Sequence, residues 1–246
     1  MRVFADRKMQ AYDAPAKLQF RGTMTMTAAS QALADQDSFL KALDGSQRVT
    51  KPYRHWLMTD MLPLEQAEAL HALPVPAPTG LEYSGRRETN NNTRYYFNAE
   101  AQARFPEVRA LAEAFQDSKT IAAIEKECGL DLTGTNLRLE YCQDTDGFWL
   151  EPHTDIGVKQ YTMLIYLSKG PNAEELGTDV YDQEMKWVHR APCLFNSGLI
   201  FIPGTDTWHA VDPRPIQGIR KSIIINYVAP EWRARHELAF PETPVK

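Results

Sequence analysis

The sequence predicts an α+β, mainly β fold: a double-stranded β-helix (a jelly roll, cupin-like core) backed by N-terminal helices. Two observations carry this. Seven short runs rich in β-branched and aromatic residues fall within about 100 residues of the C-terminal half, each punctuated by Gly, Pro, Asn or Asp. Helical patterns lie just upstream, where they can cover one sheet, and together these favour a double-sheet jelly roll over a parallel α/β arrangement.

Taken in order, residues 1–50 show weak periodicity and read as a lead segment of uncertain structure, followed by one domain over 51–246. Within that domain, 60–130 would supply helical support and 135–230 the jelly-roll core. A short strand near Trp56 to Met58 leads to Pro63 at a helix start, with Leu64, Ala67 and Leu70 on one face. "SGRRETNNNTR" is a long polar loop. "FPEVRALAEAF" places Phe105, Val108, Leu111, Ala112 and Phe115 at helical spacing, and "KTIAAIEKEC" is a further helix ended by Gly129. The strand candidates are "LRLEYC", "FWLE", "QYTMLIYLS", "TDVYD", "KWVHR", "GLIFIP" and "SIIINYVA", with "CQDTDG" as a loop between the first two.

The chain's 246 residues can bury a substantial core. With 43% hydrophobic and 24% charged residues and a net charge of −5 in no contiguous block, nothing suggests a nucleic-acid footprint. No apolar run approaches the roughly 20 residues of a membrane span, so no membrane association is expected. The N-terminus has no continuous apolar core of a secretory signal. Cys128, Cys142 and Cys193 are odd in number and form no CxxC, which suggests free thiols in a reducing, cytoplasmic setting.

"EPHTD" places His153 and Asp155 two residues apart at a strand end. A period of two puts both on one face, roughly 6–7 Å apart, which suits two ligands converging on one ion. Alone, HxD is a common tripeptide and more often a solvated turn. Of the six histidines, His209 is the best third ligand, because it follows the strand-like "GLIFIP" and a turn. Two imidazoles and one carboxylate on a β-scaffold form the facial arrangement of non-haem Fe(II) oxygenases, although zinc would accept the same set. In "RKSIIINYV", Arg220 and Ser222 share a face of a β-forming strand. A buried guanidinium needs a partner, either a structural Asp or Glu or the carboxylate of a bound cosubstrate.

The order HxD, distal His, RxS resembles the Fe(II)/2-oxoglutarate-dependent oxygenases, with flanks most like the prolyl-4-hydroxylase-like branch, over about Trp56 to Tyr227. The blocks "GFWLEPHTD", "YTMLIYLS" with "LGTDVYD", and "GLIFIPGTDTWHAV…RKS" carry the likeness. It implies that His153, Asp155 and His209 bind Fe(II) and that Arg220 holds the distal carboxylate of 2-oxoglutarate. Tyr166 and Ser222 would assist, Tyr141 would line the cosubstrate pocket, and Asn226 would point into the same cavity. Core packing is the structural alternative for the two tyrosines and Asn226. Arg86, Arg94, Arg138 and Trp149 are candidate substrate contacts, as are Arg87, Asn90, Asn91 and Asn92 of the polar loop, with a solvated loop or core packing as their structural alternative.

The implied activity consumes O2, decarboxylates 2-oxoglutarate to succinate and CO2, and hydroxylates a substrate C–H bond. A carboxylate at Asp155 favours hydroxylation over the halogenation seen where a small residue stands there. The expected substrate is a small polar molecule such as an amino acid or sugar-like metabolite. Three alternatives stay open: a peptide (prolyl-type) substrate, a zinc-dependent hydrolase or isomerase, and a non-catalytic jelly-roll binding domain.

Overall fold

The computed structural model describes residues 27–86 and 94–246. Residues 28–49, expected to form part of a lead segment, are built into the domain. Helix α1 (Ala28–Asp44) is N-capped by the Thr27 hydroxyl, which accepts the Ser30 N–H. It buries Ala32, Asp35, Gln36, Phe39 and Leu43, a stripe at helical spacing that sequence periodicity understated because two of its five members are polar. Phe39 meets Phe115 with ring centroids 4.9 Å apart. Strand β1 (Gln47–Val49) then pairs antiparallel with β2 (His55–Met58). The boundary expected at residue 50 therefore falls inside the domain.

Helices α2 (Leu64–His71), α3 (Ala99–Arg104), α4 (Pro106–Gln116) and α5 (Ser118–Cys128) follow, with β3 (Tyr95–Tyr96) ahead of α3. Pro63 caps α2 and Pro106 opens α4, both where a missing N–H is tolerated. Gly129 ends α5 at φ +69, a left-handed conformation that suits glycine.

The remaining strands are β4 (Asn136–Asp144), β5 (Leu150–His153), β6 (Lys159–Tyr166), β7 (Asp179–Tyr181), β8 (Trp187–Arg190), β9 (Ser197–Phe201), β10 (His209–Val211) and β11 (Arg220–Val228). All seven expected runs are strands; the three-residue β10 was too short to show a period. The large sheet has the order β1-β2-β9-β6-β11-β4-β3 and the small one β5-β10-β7-β8, with antiparallel pairing throughout. Part of "CQDTDG" is not loop: β4 runs on through Asp144, opposite Arg220.

Strand alternation divides the core. On β6, Tyr161, Met163 and Ile165 face the helices, while Leu164 and Tyr166 pack in a second cluster with Leu199, Phe201 and Val211 between the sheets. Cys128, Cys142 and Cys193 are buried and unbridged. Among the described residues no helix is long and apolar enough to cross a membrane.

Candidate metal centre and its pocket

His153, at the end of β5, lies directly opposite His209, at the start of β10, and their ring centroids are 4.3 Å apart. Asp155 follows in the turn into β6. One ligand atom from each of the three lies within 4.8 Å of the others. The short β10 joins residues 56 positions apart in sequence.

Each ring is oriented by the backbone. His153 Nδ1 bonds the carbonyl of Glu151 at 2.8 Å, and His209 Nδ1 that of Thr207 at 2.9 Å. A carbonyl only accepts, so Nδ1 carries the proton and Nε2 keeps its lone pair for a metal ion or a hydrogen-bond donor. Burial, with His153 alongside, pushes the His209 pKa down to about 3, so the ring stays neutral. Neutral imidazole is the metal-binding form.

Asp155, the third member of the group, is held at both oxygens. Lys159 Nζ is 2.6 Å from Asp155 Oδ1, and Thr162 Oγ1 donates to Oδ2 at 2.7 Å. Thr162 in turn accepts from Asn226 Nδ2 at 2.9 Å, and Asn226 Oδ1 accepts from Arg138 Nη1 at 3.3 Å. Arg138 is paired with Glu140 at 2.5 Å and Glu237 at 2.6 Å, and its guanidinium lies 4.9 Å from Tyr96 and 5.0 Å from Trp232. A continuous polar chain thus runs from the C-terminal segment to Asp155. It suits a buried carboxylate, which is costly unless paired and hydrogen-bonded.

The three residues open onto a cleft between the sheets, a concave site of mixed apolar and charged lining. Phe148, Leu164, Phe201 and Ile224 supply apolar wall; Arg94, Glu140, Lys159 and Arg220 supply charge. Arg220 is fully inside, with Nε donating to Leu176 O at 2.7 Å and Nη1 to Asp144 Oδ2 at 2.6 Å. Asp144 Oδ1 takes Arg94 Nη1 at 2.6 Å, and Arg94 Nε reaches Glu140 at 3.3 Å. The structural carboxylate partner of Arg220 is therefore Asp144. Its Nη2 donates to none of the described residues. Two positions along the same strand face, Ser222 Oγ is buried without a hydrogen-bond partner, an orphan of the kind a ligand oxygen satisfies.

Several expected positions differ. Tyr141 faces the helices: its ring stacks on Phe97 at 5.8 Å and its hydroxyl points to His71 O at 3.4 Å. The inward face of β4 is the polar one, carrying Arg138, Glu140, Cys142 and Asp144, so Tyr141 does not line the pocket. Tyr166 is buried behind the wall and donates to Thr178 Oγ1 at 2.8 Å; Thr178 is the residue that faces the cleft. Asn226 and Arg138 are absorbed in the polar chain rather than turned toward a substrate. Trp149 packs over Gly85, where a Cβ would come within 2.2 Å of its ring, and Phe148 takes the wall instead. Arg86 is exposed and off the cleft, whereas Arg94 lines it. Arg87, Asn90, Asn91 and Asn92 lie outside the described residues. Lys159, Thr162 and Asp144 were not singled out in the sequence, although a lysine opening the apolar run "KQYTMLIY" is a signal of the same kind as Arg220.

No family model matches the chain, and no curated protein is similar to it in sequence. Solved structures share its fold. A prolyl 4-hydroxylase from Phytophthora capsici superposes with a TM-score of 0.54 at 16% identity, over 88% of this chain and 71% of that one. A prolyl hydroxylase from Trichoplax adhaerens, in complex with a hypoxia inducible factor oxygen degradation domain peptide fragment, gives 0.52 at 14% identity, over 81% and 91%. The chain has the prolyl 4-hydroxylase-like fold, as the motif order led one to expect.

Proposed function

We propose that the chain is an Fe(II)/2-oxoglutarate-dependent oxygenase that hydroxylates an unactivated C–H bond of a small polar substrate, an amino acid or a sugar-like metabolite. The observation that carries the proposal is the convergence of His153, Asp155 and His209 within 4.8 Å at a cleft that also contains Arg220. Two imidazoles and a carboxylate fit Fe(II). The uncommitted Nη2 of Arg220 and the orphan hydroxyl of Ser222 fit a ligand carboxylate better than they fit a hydrolytic zinc site, which needs neither. Bound there, Fe(II) and 2-oxoglutarate would supply oxidising power from O2, with succinate and CO2 as by-products.

The chain's own residues bind, orient and exclude. His153, Asp155 and His209 would hold the metal, with Thr162 and the backbone carbonyls of Glu151 and Thr207 fixing their orientation. Arg220 and Ser222 would take the distal carboxylate of 2-oxoglutarate, while Asp144 and Leu176 O keep the guanidinium in place. Phe148, Leu164, Phe201 and Ile224 would keep water from the reacting face.

A second reading keeps this catalyst and changes the substrate to a prolyl peptide. It is favoured by the shared fold of the Trichoplax enzyme, which was captured with a peptide. Anaerobic titration of the protein with Fe(II) and then 2-oxoglutarate tests the proposal. A visible charge-transfer band that vanishes in Asp155→Ala is expected. Tight zinc binding with no such band would overturn it. Succinate release stimulated by free amino acids or by proline-containing peptides then separates the two substrate readings.

A further inference from the structure

We propose that Arg94 is a positioning residue for the cosubstrate: it acts through Asp144, whose two carboxylate oxygens each take a different arginine, and so leaves Arg220 its charge for an incoming carboxylate. This rests on the oxygenase reading and adds a residue to that same site. Strand register builds the arrangement. β4 lies between β3 and β11. Asp144, at the end of β4, is directly opposite Arg220 of β11, while Arg94 immediately precedes β3 on the other edge. Asp144 Oδ2 accepts from Arg220 Nη1 and Oδ1 accepts from Arg94 Nη1, both at 2.6 Å. Phe148 of the cleft wall flanks Arg94, its ring 5.5 Å from the guanidinium. The side chains of Arg94, Asp144 and Arg220 are 7%, 2% and 4% exposed, so solvent screens little of what passes between them.

Arg220 and Asp144 by themselves form a closed ion pair. A carboxylate approaching the remaining Nη2 of Arg220 would meet a nearly neutral partner, and would be repelled by a carboxylate already bonded to the same guanidinium. A second guanidinium on the other oxygen of Asp144 offsets that negative charge. The sequence of charges is then plus, minus, plus, and it attracts an anion. The buried, unpartnered Oγ of Ser222, two positions from Arg220 on the same strand face, is an independent sign that a ligand oxygen belongs there. Arg94 Nε also lies 3.3 Å from Glu140, a longer contact to an acid that pairs with Arg138 as well. The shorter bond of Arg94 is the one to Asp144, and it is the one that bears on Arg220.

The discriminating measurement is calorimetric titration of the Mn(II)-loaded protein with 2-oxoglutarate under argon, for wild type and variants of the pair. Arg94→Met should weaken binding roughly tenfold, and Arg94→Lys, which keeps the charge, should stay within about threefold of wild type. Asp144→Asn keeps an acceptor oxygen for Arg220 but removes the negative charge, so it should bind at least as tightly as wild type. The double variant Arg94→Met/Asp144→Asn should recover to within about threefold of wild type. A residue that merely supports the fold, or one that touches the cosubstrate itself, gains nothing from the second substitution. Unchanged binding in Arg94→Met, a tenfold loss in Asp144→Asn, or a double variant as weak as Arg94→Met overturns the proposal. Should Arg94→Met fail to fold, Asp144→Asn carries the sign of the effect on its own. If wild type binds no 2-oxoglutarate, the oxygenase reading fails and the proposal with it; if wild type binds and an overturning pattern appears, only the role of Arg94 is lost.

Discussion

Asp35 on α1 is fully buried and accepts hydrogen bonds from two amides, Gln31 Nε2 at 2.7 Å and Gln66 Nε2 at 2.8 Å. No cation is among these partners, and burial raises its pKa from 3.8 to about 7. An acid whose pKa is higher in the folded than in the unfolded chain adds stability that is complete below the unfolded value and is lost as pH rises through the folded one. Each pKa unit is worth about 1.36 kcal/mol, so the full difference between acid and alkaline conditions is about 4 kcal/mol. Between about pH 6 and pH 8 it is about 1.4 kcal/mol. Asp35→Asn removes the titration while keeping a neutral amide among amides. Urea denaturation of wild type and variant across that range isolates the effect as the difference between the two curves. The variant should gain on wild type by about 1.4 kcal/mol as pH rises from about 6 to 8. Parallel curves would refute the reasoning and mean that the carboxylate is charged and adequately solvated at neutral pH.

Four further expectations concern the site and its support. Asp155→Ala should abolish Fe(II)-dependent turnover of 2-oxoglutarate while leaving far-UV circular dichroism unchanged; retained turnover would remove Asp155 from the ligand set. Arg220→Ala should weaken 2-oxoglutarate binding by roughly 10–100-fold, the worth of a charge-assisted hydrogen bond, in calorimetric titration. Tyr141→Phe should leave that affinity unchanged, since its ring packs on Phe97 away from the cleft; a tenfold loss would return Tyr141 to the pocket. Arg138→Met should lower stability to urea by about 3–5 kcal/mol, because Glu140 and Glu237 lose a buried counter-ion.

The amino-acid sequence by itself determined the elements whose signal is local. Alternation and turn residues mark β4 to β9 and β11, apolar spacing marks α4, Gly129 marks the end of α5, and the spacing His153–x–Asp155 puts two potential ligands on one face. The order of His153, Asp155, His209 and Arg220 was also readable, because each polar group interrupts a β-forming stretch and so asks for a partner. What only the tertiary structure decided is which face of a doubly buried strand turns inward. All nine residues of β4 are buried, so alternation alone does not say whether Tyr141 or Glu140 sees the cleft. The answer reverses the usual expectation. The helices, packing on the outer face, take Leu137, Leu139 and Tyr141, and the pocket takes the charges. The same holds for Asp144 against Arg220 and Lys159 against Asp155: ion pairs set by strand register and turn geometry have no sequence period, because the partners meet only when separate strands are laid side by side.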